Sequence, residues 1–180
     1  MSRRVLEAAG PALFATLVMS LVGALAAILE QPWLFPSLGP TLFLLAAAPP
    51  ERPWNVFAGH AIGVAAGFGA LFLFGAQDSL SAFDAGAVGA GRAAATALAV
   101  GATLLLQTLA GAKHPPAAAT TMLITLGGLR PGWATVAAIA AGVSLLAGLA
   151  YAAHALLPAR PRSTLAPPEA ARRQDLEAGC

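Results

Sequence analysis

The side chains best suited to chemistry lie in KHPPAAATTM, residues 113–122, between two long apolar runs. Two consecutive prolines end a helix, since each lacks an N–H and clashes with the preceding turn, but a new helix can start there. The start of a helix has free N–H groups and about half a positive charge, which together bind anions. With Lys113, His114 and Thr120 around Pro115 and Pro116, this start is a candidate anion site.

A second proline-broken segment could supply the other half of the site. Residues 31–50, QPWLFPSLGPTLFLLAAAPP, contain five prolines and no charge. They predict a helix of about ten residues that starts at Leu38 to Thr41, with Pro40 in its first turn. We list as candidate substrate-binding residues Ser37, Gly39, Thr41, His60, Lys113, His114, Pro115, Pro116 and Thr120.

Plainer interpretations stay open for the charged candidates. Lys113 could be a loop lysine whose ammonium reaches the lipid headgroups. His114 could only cap a neighbouring carbonyl. His60 could be a hydrogen-bonded core histidine, although ionisable residues inside a membrane span tend to face a solute path.

Composition excludes several classes of function. The chain has 180 residues, 58% of them hydrophobic, with 10 lysines and arginines and 8 acidic residues. That balance is typical of a membrane protein, and no basic stripe indicates nucleic-acid binding. Cys180 is the only cysteine, and three scattered histidines lack metal-ligand spacing. We therefore predict no enzyme, no metal and no cofactor.

Four apolar runs are long enough to cross a bilayer, which takes about 20 residues. They cover residues 11–29, 53–77, 93–112 and 131–153, which contain no lysine, arginine, aspartate or glutamate and a single histidine, His60. The first run is too long for a usual signal peptide, and further spans follow it. The sequence predicts a multi-pass protein of the lipid bilayer, placed in a bacterial inner (plasma) membrane.

The two halves of the chain repeat one plan. RPWNVFAGHAIGV begins at Arg52 and RPGWATVAAIAAGV at Arg130, 78 residues later, where Ala138 stands at the position of His60. Each is preceded by a long run and a broken short one. We predict an all-α polytopic bundle of two inverted repeats, each of three helices with one short broken helix. The membrane domain is 1–157, with repeats at about 10–77 and 92–157; 158–180 is predicted to be a disordered cytoplasmic tail.

The positive charges favour six crossings with both termini cytoplasmic. With Arg172 and Arg173 of the distant tail left out, six crossings put six lysines and arginines inside and two outside, whereas four crossings put five inside and three outside. The inside set is Arg3, Arg4, Arg52, Lys113, Arg160 and Arg162, and the outside set is Arg92 and Arg130. Gly59, Gly63 and Gly67 form a small face that predicts close packing between membrane helices. A homo-oligomer is a further hypothesis, for which the same face could supply the contact between copies.

KHPPAAAT, PSLGPTLFLL and RPWNVFAGH together resemble the HPP family of integral membrane proteins over about residues 10–155. The family's His-Pro-Pro corresponds to His114, Pro115 and Pro116 here. Family members are usually described with four membrane helices. Plant and cyanobacterial members are associated with nitrite transport, so the resemblance implies that small anions permeate.

Three functions remain in competition at this stage. The leading hypothesis is a transporter or channel for a small inorganic anion such as nitrite. The second is a membrane scaffold or sensor subunit that moves nothing. The third is a pore for a neutral solute, which facing half-helices would also serve and for which Lys113 would be dispensable.

Overall fold

Helices form the whole regular structure of the part of the chain that the computed structural model describes, residues 3–47 and 51–156. No strand occurs in these residues, so the predicted all-α fold class is confirmed. The tail predicted at 158–180 lies outside them. In chain order the helices are α1 (Arg3–Ile28), α2 (Leu34–Ala47), α3 (Pro53–Leu73), α4 (Ala82–Ala85), α5 (Ala90–Leu109), α6 (Ala117–Thr125) and α7 (Trp133–Leu156).

Four of these helices are long and apolar enough to cross a membrane. They are α1 from Ala9 onwards, α3, α5 and α7, and each of these segments has 20 to 24 residues. Their apolar outer surface includes exposed Leu13, Phe72 and Leu104. A soluble protein rarely exposes so much contiguous apolar surface, and lipid would cover it. The chain is therefore an integral multi-pass membrane protein.

The predicted start of the first short helix is wrong. α2 begins at Leu34 and has 14 residues, so Pro40 lies inside it and not in its first turn. The reason is that Pro36 fits a first turn equally well, and the N–H of Ser37 donates to the carbonyl of Trp33 at 3.1 Å. Pro40 is exposed, on the side of the helix away from the packed interior.

The second short helix starts where its prolines predict. α6 begins at Ala117, directly after Pro116, and has nine residues. The preceding α5 ends at Leu109, and Gly111 turns the chain with a φ of 60°. α4, a single turn between α3 and α5, was not predicted. Ser81 caps it by accepting a bond from the N–H of Phe83.

The two short helices lie side by side at the centre of the bundle. α2 packs against α1, α6 and α7, and α6 packs against α5, α2 and α3. Exchanging α1, α2 and α3 with α5, α6 and α7 maps the main packing pairs onto one another: α1–α2 onto α5–α6, α3–α6 onto α7–α2, and α3–α5 onto α7–α1. Such an exchange is what a two-fold repeat produces, and the inverted orientation of the halves stays a prediction.

The small face of α3 is covered from inside the chain. A Cβ added at Gly59 would lie 2.6 Å from the Cβ of His114, and one at Gly63 would lie 2.7 Å from the Oγ1 of Thr121. Gly67 faces Ile124 in the same way. These glycines let α6 approach the α3 backbone, so the hypothesis that they form the contact with a second copy is wrong.

Candidate functional site

A continuous row of polar side chains crosses the centre of the bundle, where α2, α3 and α6 meet. We call it the polar row, and it consists of Glu51, His114, Thr41, His60, Thr120 and Ser37 in spatial order. All but the first are at most 1% exposed. The Glu51 side chain is 21% exposed, so one end of the row reaches the surface.

Every neighbouring pair in the polar row is at hydrogen-bond distance. The Glu51 carboxylate lies 2.7 Å from His114 Nδ1. The Thr41 hydroxyl lies 3.2 Å from His114 Nε2 and 2.9 Å from His60 Nε2. The Thr120 hydroxyl then joins His60 Nδ1 at 3.0 Å to Ser37 Oγ at 2.6 Å. Five hydrogen bonds thus connect the partly exposed Glu51 to Ser37, a buried residue of α2.

The order of donors along the polar row follows from its chemistry. An ionised Glu51 only accepts, so His114 Nδ1–H must donate to it, and a neutral His114 leaves Nε2 to accept from Thr41. A threonine has one proton, so Thr41 must accept from the Nε2–H of His60. By the same logic Thr120 donates to His60 Nδ1, and Ser37 donates to Thr120. All five bonds therefore point towards Glu51.

The charge state of His114 fits this order. His114 lies in the connection between α5 and α6, outside the four candidate spans. Burial lowers the pKa of its imidazole, while the hydrogen bond to Glu51 and the carboxylate charge raise it in part. The lowered pKa keeps Nε2 free to accept near pH 7. The ring also lies 5.1 Å, centroid to centroid, from that of His60, so charging both rings would be repulsive.

Gln107 of α5 fixes the backbone of His114. The N–H of His114 donates to Gln107 Oε1 at 3.0 Å, and Gln107 Nε2 donates to the carbonyls of Gly59 and His114 at 3.2 and 3.3 Å. At the surface end, Tyr151 of α7 donates its hydroxyl proton to the Glu51 carbonyl at 3.0 Å. The imidazole is therefore positioned by three helices at once.

Threonines continue the polar surface of α6 beyond the row. Thr121 lies 3.1 Å from Thr103 of α5 and 3.2 Å from the Gly63 carbonyl, to which it donates. Thr125 accepts from Thr96 at 2.9 Å. All of these bonds connect α6 to α5 or α3, so α6 is held along its length by hydroxyl groups.

The start of α6 does not offer the free N–H groups that the sequence predicted. The N–H groups of Ala117, Ala118 and Ala119 donate to the carbonyls of His114, Pro115 and Pro116 at 3.0 to 3.1 Å. These bonds span three residues, as in a tight first turn, because the two prolines set the turn. An anion could bind these groups only if the turn opened.

Five of the predicted site residues come together and four do not. Ser37, Thr41, His60, His114 and Thr120 form most of the polar row. Outside it, Lys113 and Pro115 are exposed, Pro116 is half-buried beside the turn, and Gly39 faces open space on α2.

Three polar residues of the site were missed. Glu51 was assigned to a loop end, and Gln107 lies in a run that we treated as purely apolar. The signal for Gln107 was its spacing from Thr103, since residues four apart share one helix face. Arg92 was counted only as an outside charge.

Arg92 holds the far end of α6. It is 5% exposed, and its guanidinium donates to the carbonyls of Thr125, Ser79 and Leu80 at 2.8, 2.6 and 2.9 Å. A cation at a helix C-terminus is favourable because the helix dipole is negative there. Gly127, with a φ of 91°, packs against the guanidinium, and a Cβ there would lie 2.8 Å from it.

A cavity of about 440 Å³ opens beside Arg92. Its wall includes Phe72 near the end of α3 and four charged side chains, which are Asp78, Asp84, Arg92 and Arg130. Glu51 precedes the other end of α3, a helix of 21 residues. The cavity and the surface end of the polar row thus lie near opposite ends of one span.

Comparison with known proteins adds the family. The family model described as HPP, transmembrane region, matches residues 2–163, which include all seven helices. The comparisons with curated proteins and with solved structures gave no match.

Proposed function

Because the chain belongs to the HPP transmembrane family, we propose that it is a transporter or channel for a small inorganic anion such as nitrite. The observation that carries the proposal is the polar row. Five buried hydrogen-bonding side chains, two of them histidines, cross the centre of the bundle, and Glu51 connects them to the surface. Ionisable groups inside a membrane bundle are expensive and mark solute or ion paths.

Chemistry of the row suits a small anion. Its hydroxyl groups can rotate, so Ser37, Thr41 and Thr120 can turn their protons towards a solute that replaces one of their partners. The cavity near the other end of α3 is lined by two arginines and two aspartates, so its wall offers a solute charged groups of both signs and no net charge. Hydroxyl donors bind an anion weakly enough to release it, as permeation requires.

Topology completes the proposal. The pairwise exchange of packing between the halves supports an inverted repeat with α2 and α6 as its discontinuous helices. We place both termini on the cytoplasmic side of a bacterial inner membrane, with six membrane-embedded helices in all. Labelling of single cysteines in the loop 78–91 from outside, and not from the cytoplasm, is the expected result.

One observation favours a neutral-solute pore as the second candidate. Lys113 is exposed, and the first N–H groups of α6 are bonded within the chain, so the polar row contains no fixed cation apart from what protonation of a histidine would add. A neutral solute would need none. A scaffold or sensor subunit would need no buried polar row.

Uptake into liposomes separates these candidates. Purified protein is reconstituted and tested with nitrite, chloride, nitrate, formate and glycerol. We expect nitrite uptake above that of protein-free liposomes, reduced about tenfold in His60→Ala and unchanged in the control Thr108→Val, an exposed hydroxyl that bonds only to Leu104 of its own helix. Uptake of glycerol alone would establish the neutral pore, and no uptake of any solute would overturn both.

A further inference from the structure

The polar row has the form of a path for protons. Each of the four inner members both donates and accepts, and each member is bonded to the next without a gap from Glu51 to Ser37. A purely structural network could connect its hydroxyls to backbone carbonyls, as Thr103 does with Ala99 at 2.8 Å. Here every link joins two side chains that can exchange a proton.

We propose that the polar row is a proton relay which lets a weak-acid anion cross together with one proton. This inference rests on the proposed function and adds its coupling ion and the chemical class of its substrate. The anion of a weak acid is costly to dehydrate, whereas its neutral acid is far less so. A proton supplied inside the bundle removes that cost where the solute is most deeply buried.

The transfer is balanced in atoms and charge. In the loaded state Glu51 is protonated and every hydrogen bond of the row points away from it. The anion takes the hydroxyl proton of Ser37, which is replaced by the proton of the next member, and so on along the row to Glu51. The products are a neutral acid and an ionised Glu51, with the bonds in the order derived above for the ionised carboxylate. The reverse sequence returns a proton to Glu51.

Only one end of the relay reaches the surface. Glu51 is partly exposed, whereas Ser37 and Thr120 are fully buried. A row that stops inside the bundle exchanges protons with a solute there and does not leak them across the membrane. This one-sided access fits cotransport better than a proton channel.

Other titratable groups near the relay are few. Tyr151 and His154 of α7 bond to the carbonyls of Glu51 and Leu45, so they do not insert into the row. Lys113 and Arg52, next to His114 and Glu51 in the chain, are exposed. Among the described side chains α2 and α6 contain no ionisable residue, and α5 contributes only the amide of Gln107 next to His114.

The matched pair Thr41→Val and Thr41→Ser tests the relay. Valine has the shape of threonine without the hydroxyl, and serine keeps the hydroxyl. Anion uptake and the pH inside the liposomes are recorded together, with nitrite as the probe. In protein molecules whose Glu51 end faces the bath, we expect about one proton to enter per nitrite in the parent and in Thr41→Ser, and proton entry to fall about tenfold in Thr41→Val. Thr103→Val, which removes a buried hydroxyl outside the row, is the control and should keep the parent's coupling.

Glu51→Gln provides a second variant that does not depend on packing in the core. A glutamine oxygen still accepts from His114 but cannot hold a proton, so proton entry should fall as in Thr41→Val. The outcomes separate the two proposals. The relay is overturned, and the proposed function stands, if nitrite enters the parent's liposomes without protons. The same conclusion follows if Thr41→Val and Glu51→Gln move protons with nitrite as the parent does. Proton movement that needs the Thr41 hydroxyl without any anion uptake supports the relay and overturns the anion function. If the parent moves neither nitrite nor protons, both proposals are overturned.

Discussion

The two short helices occupy equivalent places in the two halves of the chain but are held by different kinds of contact. Apart from Ser37 and Thr41, which belong to the polar row, α2 is anchored by the buried leucines Leu34, Leu38, Leu42 and Leu45, and Gly142 of α7 lets it approach. α6 is anchored by hydroxyl groups, by the clamp around His114 and by Arg92 at its end. Gly59 and Gly63 of α3 face the polar residues His114 and Thr121, whereas Gly142 meets leucine methyl groups.

This difference shows how one repeated plan can separate packing from chemistry. Apolar contacts have no preferred direction, and leucine side chains can change rotamer when a neighbour changes. Hydrogen bonds are directional, so the α3–α6 contact fixes the atoms of the polar row in place. The repeat thus has a side that packs and a side that positions reactive groups.

Removing the cation at the end of α6 should have the largest effect on stability. In Arg92→Leu the buried carbonyl of Thr125 and the part-buried carbonyls of Ser79 and Leu80 lose their donor, and an unsatisfied buried group costs about 1–3 kcal/mol. We expect the free energy of unfolding in mild detergent to fall by about 3 kcal/mol or more. Arg130→Leu is the control, since Arg130 is exposed on the same cavity wall. Equal melting temperatures for the two variants would show that α6 is not held in this way.

A methyl group added in the contact between α3 and α6 should lower the stability more than one added in the contact between α2 and α7. Gly59→Ala places a Cβ 2.6 Å from that of His114, whose backbone is clamped by Gln107 and followed by Pro115. Gly142→Ala meets only the mobile ends of Leu38 and Leu34. We expect Gly59→Ala to lose about 1–3 kcal/mol of stability and Gly142→Ala clearly less.

Gly69→Ala is the control for this comparison, because Gly69 lies on the same helix as Gly59 and a Cβ there meets nothing within 4 Å. Thermal unfolding in detergent gives the ranking. A lower melting temperature for Gly142→Ala than for Gly59→Ala would contradict this prediction, because it would show that the leucines of α2 adapt less easily than the clamped His114.

The smallest effect is expected at Lys113. Its side chain is exposed and lies outside the polar row, so Lys113→Gln should change nitrite uptake by less than about twofold at matched protein density. Uptake by His60→Ala serves as the comparison. A loss as large as that of His60→Ala would show that the lysine takes part in an anion site at the start of α6, as the sequence predicted.

Local rules predicted the elements of this fold better than their boundaries. Apolar runs are sufficient to find four spans, and Pro116 is sufficient to place the start of α6. Pro36 and Pro40 both fit a first turn, and only the Trp33 carbonyl, which accepts from the N–H of Ser37, decides that α2 starts early. No pattern in residues 31–50 contains that information.

The same limit applies to the site. Polar residues in apolar segments point inwards, so Ser37, Thr41 and His60 could be selected from sequence. Their order in the row depends on contacts between residues 19 to 83 positions apart. Glu51 and Arg92 were missed because a charge near a turn looks the same in sequence whether it faces water or the packed interior.

The long sequence separation within the row also constrains how the protein is made. His60 and Ser37 find Thr120 only after 60 and 83 further residues have been synthesised. At about 5–20 residues per second, the first half must wait about 3–17 s in the membrane with an imidazole nitrogen and a hydroxyl lacking their final partners. During that interval we expect α3 to stay beside water, an insertase or another polar surface. It would move into the lipid only after α6 has been synthesised and has packed against it.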